Sequence, residues 1–196
     1  MINREDESRK EALTMLIFGG TGDLTHRKLL PALYHLMAEG RLPEETRIIA
    51  VGRRDKGDEG YRAEAEASIA AHSRSGVDST QMARFLERLF YYRMEFIREP
   101  DSYRGLADFL KRREGTAETV RLFFLAVAPE HFAPVVIHLH ENGLANYGNP
   151  RHRVMIEKPF GSDLDSARAL NRTISRALQE RQVYRIDHYL GKEMVR

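Results

Sequence analysis

The chain has 196 residues, of which 42% are apolar and 31% charged, with a formal net charge of +2. That length suits one domain with a substantial core, and the composition is that of an ordered globular protein. The basic residues are interleaved with acids, a poor footprint for nucleic acid, and the absence of cysteine excludes disulfides, thiolate nucleophiles and cysteine-ligated zinc.

Residues 1–12 are charged and carry no apolar segment of the signal-peptide kind, so they are expected to form a polar N-terminal tail. No run reaches membrane-spanning length, and a cytoplasmic protein without membrane contact is expected. The apolar run Leu13 to Phe18 then ends abruptly in Gly19-Gly20-Thr21-Gly22, a strand followed by a tight turn. A helical pattern runs from Asp23 to about Glu39, with Leu24, Leu29, Leu33, Leu36 and Met37 toward one face, Asp23 as its cap and Gly40 as its stop. Pro31 inside this pattern is expected to kink the helix or split it.

The second strand covers Thr46 to Val51 and is closed by Gly52-Arg53-Arg54-Asp55. Helical patterns around Glu59–Ser73 and Ser79–Leu89 follow, then a strand from Phe90 to Phe96 and a helix from Pro100 to about Gly115. Thr119 to Val127 is the most apolar run, as befits a central strand buried on both faces. A helix from Ala128 through Glu141, a strand from Arg153 to Glu157, a helix from Ser162 to about Glu180 and a short strand from Val183 to Ile186 complete the pattern. The last long helix places Leu164, Ala167, Leu170, Ile174 and Leu178 on one stripe. Alternating strands and helices predict an α/β fold, a doubly wound, Rossmann-like parallel sheet of about six strands in the order 3-2-1-4-5-6, with helices on both faces and residues 13–196 as one dinucleotide-binding domain.

Such sheets bind ligands outside the carboxyl ends of their strands, where every unusual polar cluster of this chain falls. The glycine turn feeding a helix presents N–H groups and the helix dipole to a pyrophosphate; Gly22 lets the backbone approach closely, and the Thr21 hydroxyl can donate to a phosphate oxygen. Arginine after the second strand accommodates a 2′-phosphate where an acid would favour a free ribose hydroxyl, so Arg53 argues for NADP over NAD. Lys158, at the mouth of the fifth strand in Glu157-Lys158-Pro159-Phe160-Gly161, belongs beside the nicotinamide end; it reads equally as a surface lysine in a turn fixed by Pro159 and Gly161.

The densest polar stretch is Arg185-Ile186-Asp187-His188-Tyr189-Leu190-Gly191-Lys192-Glu193. With Asp187 capping a new helix, His188 and Lys192 share a face and, with Tyr189, surround free N–H groups, an arrangement suited to a phosphate. A capped amphipathic surface helix is the plainer reading of the same residues. The histidines lack the spacing of metal ligands, and no metal is expected. No Gly-x-x-x-x-Gly-Lys-Ser/Thr segment is present, so the glycine turn is not a P-loop.

Three segments together resemble the glucose-6-phosphate dehydrogenase family: Gly19-Gly20-Thr21-Gly22-Asp23-Leu24 with Lys28 and Pro31, Glu157 to Gly161, and Arg185 to Glu193. The resemblance implies oxidation of glucose 6-phosphate at C1 to 6-phosphoglucono-δ-lactone with hydride passed to NADP, the first step of the pentose phosphate pathway. It implies that Gly19, Gly20, Thr21, Gly22, Asp23 and Leu24 hold the pyrophosphate and that Arg53 with Thr21 holds the 2′-phosphate. Lys158 touches cofactor and sugar, Pro159 sets where the nicotinamide lies, His188, Tyr189 and Lys192 bind the sugar phosphate, and Lys28 sits near the sugar. Asp187 orients a general-base histidine that belongs to a segment beyond residue 196.

The family also forms homodimers or tetramers through a second domain, so this chain alone is expected to bind NADP and turn nothing over. The chain departs from the family pattern in having Ala128-Pro129 where Pro-Pro is common, and Phe132 where the cofactor-touching aromatic carries a hydroxyl. A stand-alone NADP-binding module is the alternative. A wider group of sugar oxidoreductases shares the Glu-Lys-Pro turn but has Gly-x-Gly-x-x-Gly and lacks the Arg-Ile-Asp-His segment.

Overall fold

The computed structural model describes residues 11–73, 76–116 and 118–186. Six strands, β1 (Ala12–Phe18), β2 (Thr46–Gly52), β3 (Leu89–Arg93), β4 (Thr119–Leu125), β5 (His152–Glu157) and β6 (Val183–Ile186), pair in parallel as one sheet ordered β3-β2-β1-β4-β5-β6. This is the doubly wound order expected from the sequence. The tail boundary moves: Ala12 begins β1 and Glu11 pairs with Arg151 at 3.0 Å, so both residues belong to the domain.

Among the described residues six α-helices cover the sheet: α1 (Leu30–Ala38), α2 (Gly57–His72), α3 (Ser79–Glu87), α4 (Ser102–Glu114), α5 (Phe132–Glu141) and α6 (Leu164–Ala177). Because successive strand residues point to opposite faces, each apolar strand feeds two cores. Leu16 and Phe18 of β1, with Ile49 and Val51 of β2, pack under α4, α5 and α6. Met15 and Ile17, with Ile48 and Ala50, pack under α1, α2 and α3. The near-continuous apolar run of β1 and β2 thus follows from two-sided burial.

The helix after the glycine turn departs from a simple 3.6-residue pattern. Asp23 and Leu24 are helical, Thr25–Leu29 form a π turn, and α1 continues from Leu30. Pro31 has no N–H to donate one turn back, and the chain closes a wider ring in which the Leu30 N–H donates to the Thr25 carbonyl. The extra residue rotates the buried face by about 100°. Leu30, Leu33 and Tyr34 therefore carry the packing, while Leu24 is exposed. Asp23 does not cap this helix: it lies inside the first turn, and its carboxylate approaches Arg27 at 3.6 Å.

At the other end of the chain, α6 starts two residues later than expected, behind a capping box. The Asp163 carboxylate accepts from the Ser166 N–H at 2.8 Å, and the Ser166 hydroxyl accepts from the Asp163 N–H at 3.0 Å. Hydrogen bonds to the carboxylate, the one from the Ser166 backbone N–H most of all, hold the Asp163 carboxyl below the ordinary aspartate range. Leu164, expected on the buried stripe, is the first helical residue and is 64% exposed; Ile174, Ala177 and Leu178 carry the burial instead.

The edge of the sheet opposite the strands' carboxyl ends is closed by a polar network. Gln182 is fully buried, and its amide accepts from the N–H groups of Gly148 and Gln179 and donates to the carbonyls of Asn146, Asn149 and His152. All of its hydrogen-bonding groups are therefore occupied, the condition under which a buried amide is tolerated. Beside it Arg121 pairs with the buried carboxylate of Glu114 at 2.6 Å. His152 Nδ1 accepts the Asn146 N–H at 2.9 Å. Burial, reinforced by the Arg121 charge and opposed by Glu114, depresses the His152 pKa from 6.5 to about 4.

The sign of the resulting pH dependence is set by which state binds the proton first. Between pH 6.5 and 4 the unfolded chain protonates this imidazole while the folded chain does not. Stability is accordingly undiminished above pH 6.5 and declines as pH falls toward 4. A His152→Asn variant, which keeps an acceptor near the Nδ1 position, should lose this component. Thermal melts from pH 7 to pH 4 should therefore fall less steeply for the variant than for the wild type. Equal slopes would remove His152 as the cause.

Candidate functional site

Among the described residues, the registers of the sheet bring the sequence clusters to one edge. Phe18 lies opposite Val51 and Leu125, Gly52 opposite Arg93, Leu125 opposite Ile156, and Glu157 opposite Ile186. The glycine turn, Arg53-Arg54, Ala128-Pro129 and Lys158-Pro159 leave adjacent strands of this row. Asp187, His188, Tyr189 and Lys192 lie outside the described residues; Ile186, immediately before them, ends β6 on the same edge.

The glycine turn is seated between the ends of β2 and β4. The N–H groups of Gly19 and Gly20 both donate to the Val51 carbonyl, at 3.1 and 2.9 Å, and the Gly22 N–H donates back to the Gly19 carbonyl at 2.9 Å. Gly19 has φ +87°, and a Cβ there would stand 2.2 Å from the Ala126 carbonyl oxygen. A Cβ on Gly20 would stand 2.7 Å from that of Ala50. These two positions require glycine for backbone shape and for close approach respectively. The Thr25 hydroxyl donates to the Gly19 carbonyl at 3.0 Å and ties the turn to the helix that follows. Gly22 is less confined, since a Cβ there would meet only the Gly19 oxygen at 3.1 Å.

Beyond β2, Arg53 is exposed and lines a groove of about 490 Å³ with Arg93, Arg98, Glu95 and Glu99. Arg93 donates to the Asp55 carboxylate at 2.9 Å, so part of this cationic surface is already engaged. Gly52 ends β2 immediately before Arg53, and a Cβ there would lie 2.9 Å from the Tyr91 hydroxyl and 3.2 Å from Thr21 Cγ2. Thr21 of the glycine turn thus lies against Gly52, the residue immediately before Arg53.

At the β5 end, the Lys158–Pro159 peptide is cis. Gly161 packs against the first turn of α6, where a Cβ would fall 2.6 Å from the Ala167 nitrogen. Pro159 and Gly161 form one wall of a mostly apolar groove of about 560 Å³, and Pro129, Ala133 and Leu170 line its other sides. Lys28 is exposed on the π turn and borders a separate groove with Arg27, His35 and His72. Phe132, expected to touch a cofactor, is placed elsewhere: it begins α5 with its ring facing the sheet, is 1% exposed, and packs in the core. It has no surface to present to a ligand.

Two tyrosines that no sequence pattern singles out reach this edge from below. Tyr61 of α2 donates to the Gly20 carbonyl at 2.6 Å, and Tyr91 of β3 donates to the Arg54 carbonyl at 2.7 Å. Their rings stack with centroids 5.1 Å apart. The partners are 41 and 37 residues distant in sequence, so only the topology reveals them.

A sequence profile described as "Glucose-6-phosphate dehydrogenase, NAD binding domain" matches residues 16–196. The chain belongs to this family. It is 44% identical over 187 residues to the glucose-6-phosphate 1-dehydrogenase of Chlamydia pneumoniae, covering 92% of this chain and 36% of the relative. It is 42% identical over 182 residues to that of Mycolicibacterium smegmatis, with the same coverage.

Among solved structures, a glucose-6-phosphate dehydrogenase in complex with glucose 6-phosphate superposes with a TM-score of 0.80 at 33% identity, over 94% of this chain and 38% of that one. The Mycobacterium avium glucose-6-phosphate 1-dehydrogenase gives 0.79 at 34% identity, over 92% of this chain and 37% of that one. The chain therefore spans little more than a third of the length of these dehydrogenases. What it contains is the nicotinamide-dinucleotide-binding domain of the glucose-6-phosphate dehydrogenase family.

The glycine seat gives a direct test of this geometry. Gly19→Ala places a methyl group against the Ala126 carbonyl in a backbone conformation that alanine avoids, and should cost about 2–4 kcal/mol. Gly22→Ala, with a looser contact, should cost under about 1 kcal/mol. Urea unfolding of the two variants measures the difference, and similar midpoints would contradict the close approach at residue 19.

Proposed function

We propose that residues 11–196 form the coenzyme domain of a dehydrogenase that oxidises C1 of glucose 6-phosphate to 6-phosphoglucono-δ-lactone, with NADP as the acceptor. The observation that carries this reading is the glycine turn after β1, wedged between the ends of β2 and β4, with Arg53 leaving β2 beside it. Glycine at 19 and 20 lets the turn seat against β2 and β4, and the helix start that follows it supports the reading of a pyrophosphate site. The residues present fit a dinucleotide, and NADP, when bound, supplies the two-electron acceptor.

In this reading the chain's own residues bind and orient. Gly19 to Leu24 hold the pyrophosphate, Thr21 and Arg53 the 2′-phosphate, and Lys158 with Pro159 the nicotinamide end beside the sugar. The guanidinium of Arg53 offers the paired donors that suit a phosphate better than an ammonium would. His188, Tyr189 and Lys192 bind the sugar phosphate, with Lys28 toward the sugar. Asp187 orients the histidine that removes the C1 hydroxyl proton, which comes from outside these 196 residues. A carboxylate in that place fixes the imidazole tautomer and stabilises the cation formed on proton transfer. A cytoplasmic location belongs to the same reading.

Isothermal titration of the chain with NADP and with NAD should show NADP bound more tightly. Arg53→Ala should weaken NADP about tenfold to a hundredfold while changing NAD little, as for the loss of hydrogen bonds between charged groups. Equal affinities in the wild type would remove NADP as the preferred cofactor. The 196-residue chain mixed with NADP and glucose 6-phosphate should produce no rise in NADPH absorbance; a rise would show that the base lies within the chain.

A further inference from the structure

The two buried tyrosines join the two loops that the proposed function assigns to different parts of the same dinucleotide. The Tyr61 hydroxyl donates to the Gly20 carbonyl in the glycine turn, and the Tyr91 hydroxyl donates to the Arg54 carbonyl in the arginine segment. The rings stack at 5.1 Å with 27° between planes, and both are buried in the core on the α1–α3 side of the sheet. The backbone N–H of Tyr91 donates to Asp58 in the first turn of α2, at 2.7 Å. The helix that carries Tyr61 and the strand that carries Tyr91 are thereby fixed to each other.

Each hydroxyl sets a peptide plane. In a trans peptide the C=O and the following N–H point in opposite directions. A Gly20 carbonyl held toward Tyr61 therefore turns the Thr21 N–H away from the core. An Arg54 carbonyl held toward Tyr91 fixes the plane that joins Arg54 to Asp55, immediately after Arg53. Gly52 makes the second contact possible, because any side chain there would meet the Tyr91 hydroxyl. Burial raises the pKa of both phenols, so both remain donors through the neutral range.

We infer that Tyr91 is a positioning residue for cofactor choice, holding the Arg53-Arg54 segment in the conformation that reads a 2′-phosphate, while Tyr61 positions the pyrophosphate turn common to NADP and NAD. The inference rests on the assignment of Arg53 to the 2′-phosphate. It separates the two tyrosines by consequence: they touch each other, yet each hydroxyl serves a different part of the ligand.

The test is titration of the 196-residue chain with NADP and NAD in four forms: wild type, Arg53→Ala, Tyr91→Phe and Tyr61→Phe. Thermal midpoints of each are measured alongside. Phenylalanine keeps the stacked ring and removes only the donor. Tyr91→Phe should lower the ratio of NADP to NAD affinity about threefold to tenfold with NAD affinity little changed, and Tyr61→Phe should weaken both cofactors by a similar factor and leave the ratio unchanged. A loss of stability alone moves both affinities together, so the ratio distinguishes positioning from general loosening.

If the wild type prefers NADP and Arg53→Ala abolishes that preference, an unchanged ratio in Tyr91→Phe overturns the inference by itself. A ratio lowered equally by Tyr61→Phe also overturns it, since the two roles would not be separate. A wild type without preference, or an Arg53→Ala variant that keeps it, overturns the Arg53 assignment and the inference with it.

Discussion

At the centre of the carboxyl-terminal edge the backbone of Gly19 lies so close to the Ala126 carbonyl that a methyl group would overlap it. Much of the site follows from that contact. β1 pairs with β2 on one side and β4 on the other, and its last residue, Phe18, accepts the Ala126 N–H while the next two residues donate to Val51. The chain must turn out of the sheet within the width of one strand. Only residues without side chains can do so between two neighbours that continue alongside. Glycine at 19 and 20 is what lets the turn fit between them.

The two-sided core makes that edge rigid. Alternate residues of β1 and β2 go to different layers, so neither strand can slip by one residue without exchanging both cores at once. The π turn after the glycines belongs to the same constraint. Pro31 denies the helix one hydrogen bond, and the wider ring that results rotates Leu30, Leu33 and Tyr34 onto the sheet. The start of the helix can then be set by Thr25 and the Gly19 carbonyl rather than by the packing of α1.

Strand order, helix placement and the row of polar clusters were legible because they depend on local pattern: apolar runs of strand length, a glycine turn, an arginine just past a strand. What escaped has a common physical origin in tertiary contacts. Phe132 carries an aromatic at a position that invites a cofactor contact, but the side of the helix it occupies is decided by the short 3₁₀ turn ahead of it, and that side faces the core. Leu164 fits a helical stripe, yet the Asp163–Ser166 box starts the helix so late that this leucine becomes its exposed first residue. The box has a local signature, Asp-x-x-Ser, that could have been read. Tyr61 and Tyr91 have none, since their partners are distant carbonyls rather than side chains.

Gln182 has a mechanical consequence. It anchors the first end of β6, a strand of only four residues whose other end, Ile186, sits beside Glu157 at the edge where the site lies. Four residues of strand span roughly 13 Å. A side chain at the opposite rim of the sheet therefore acts as the fixed pivot of a short rigid arm. The direction in which β6 reaches the edge that carries the glycine turn is set by a buried amide at the opposite rim.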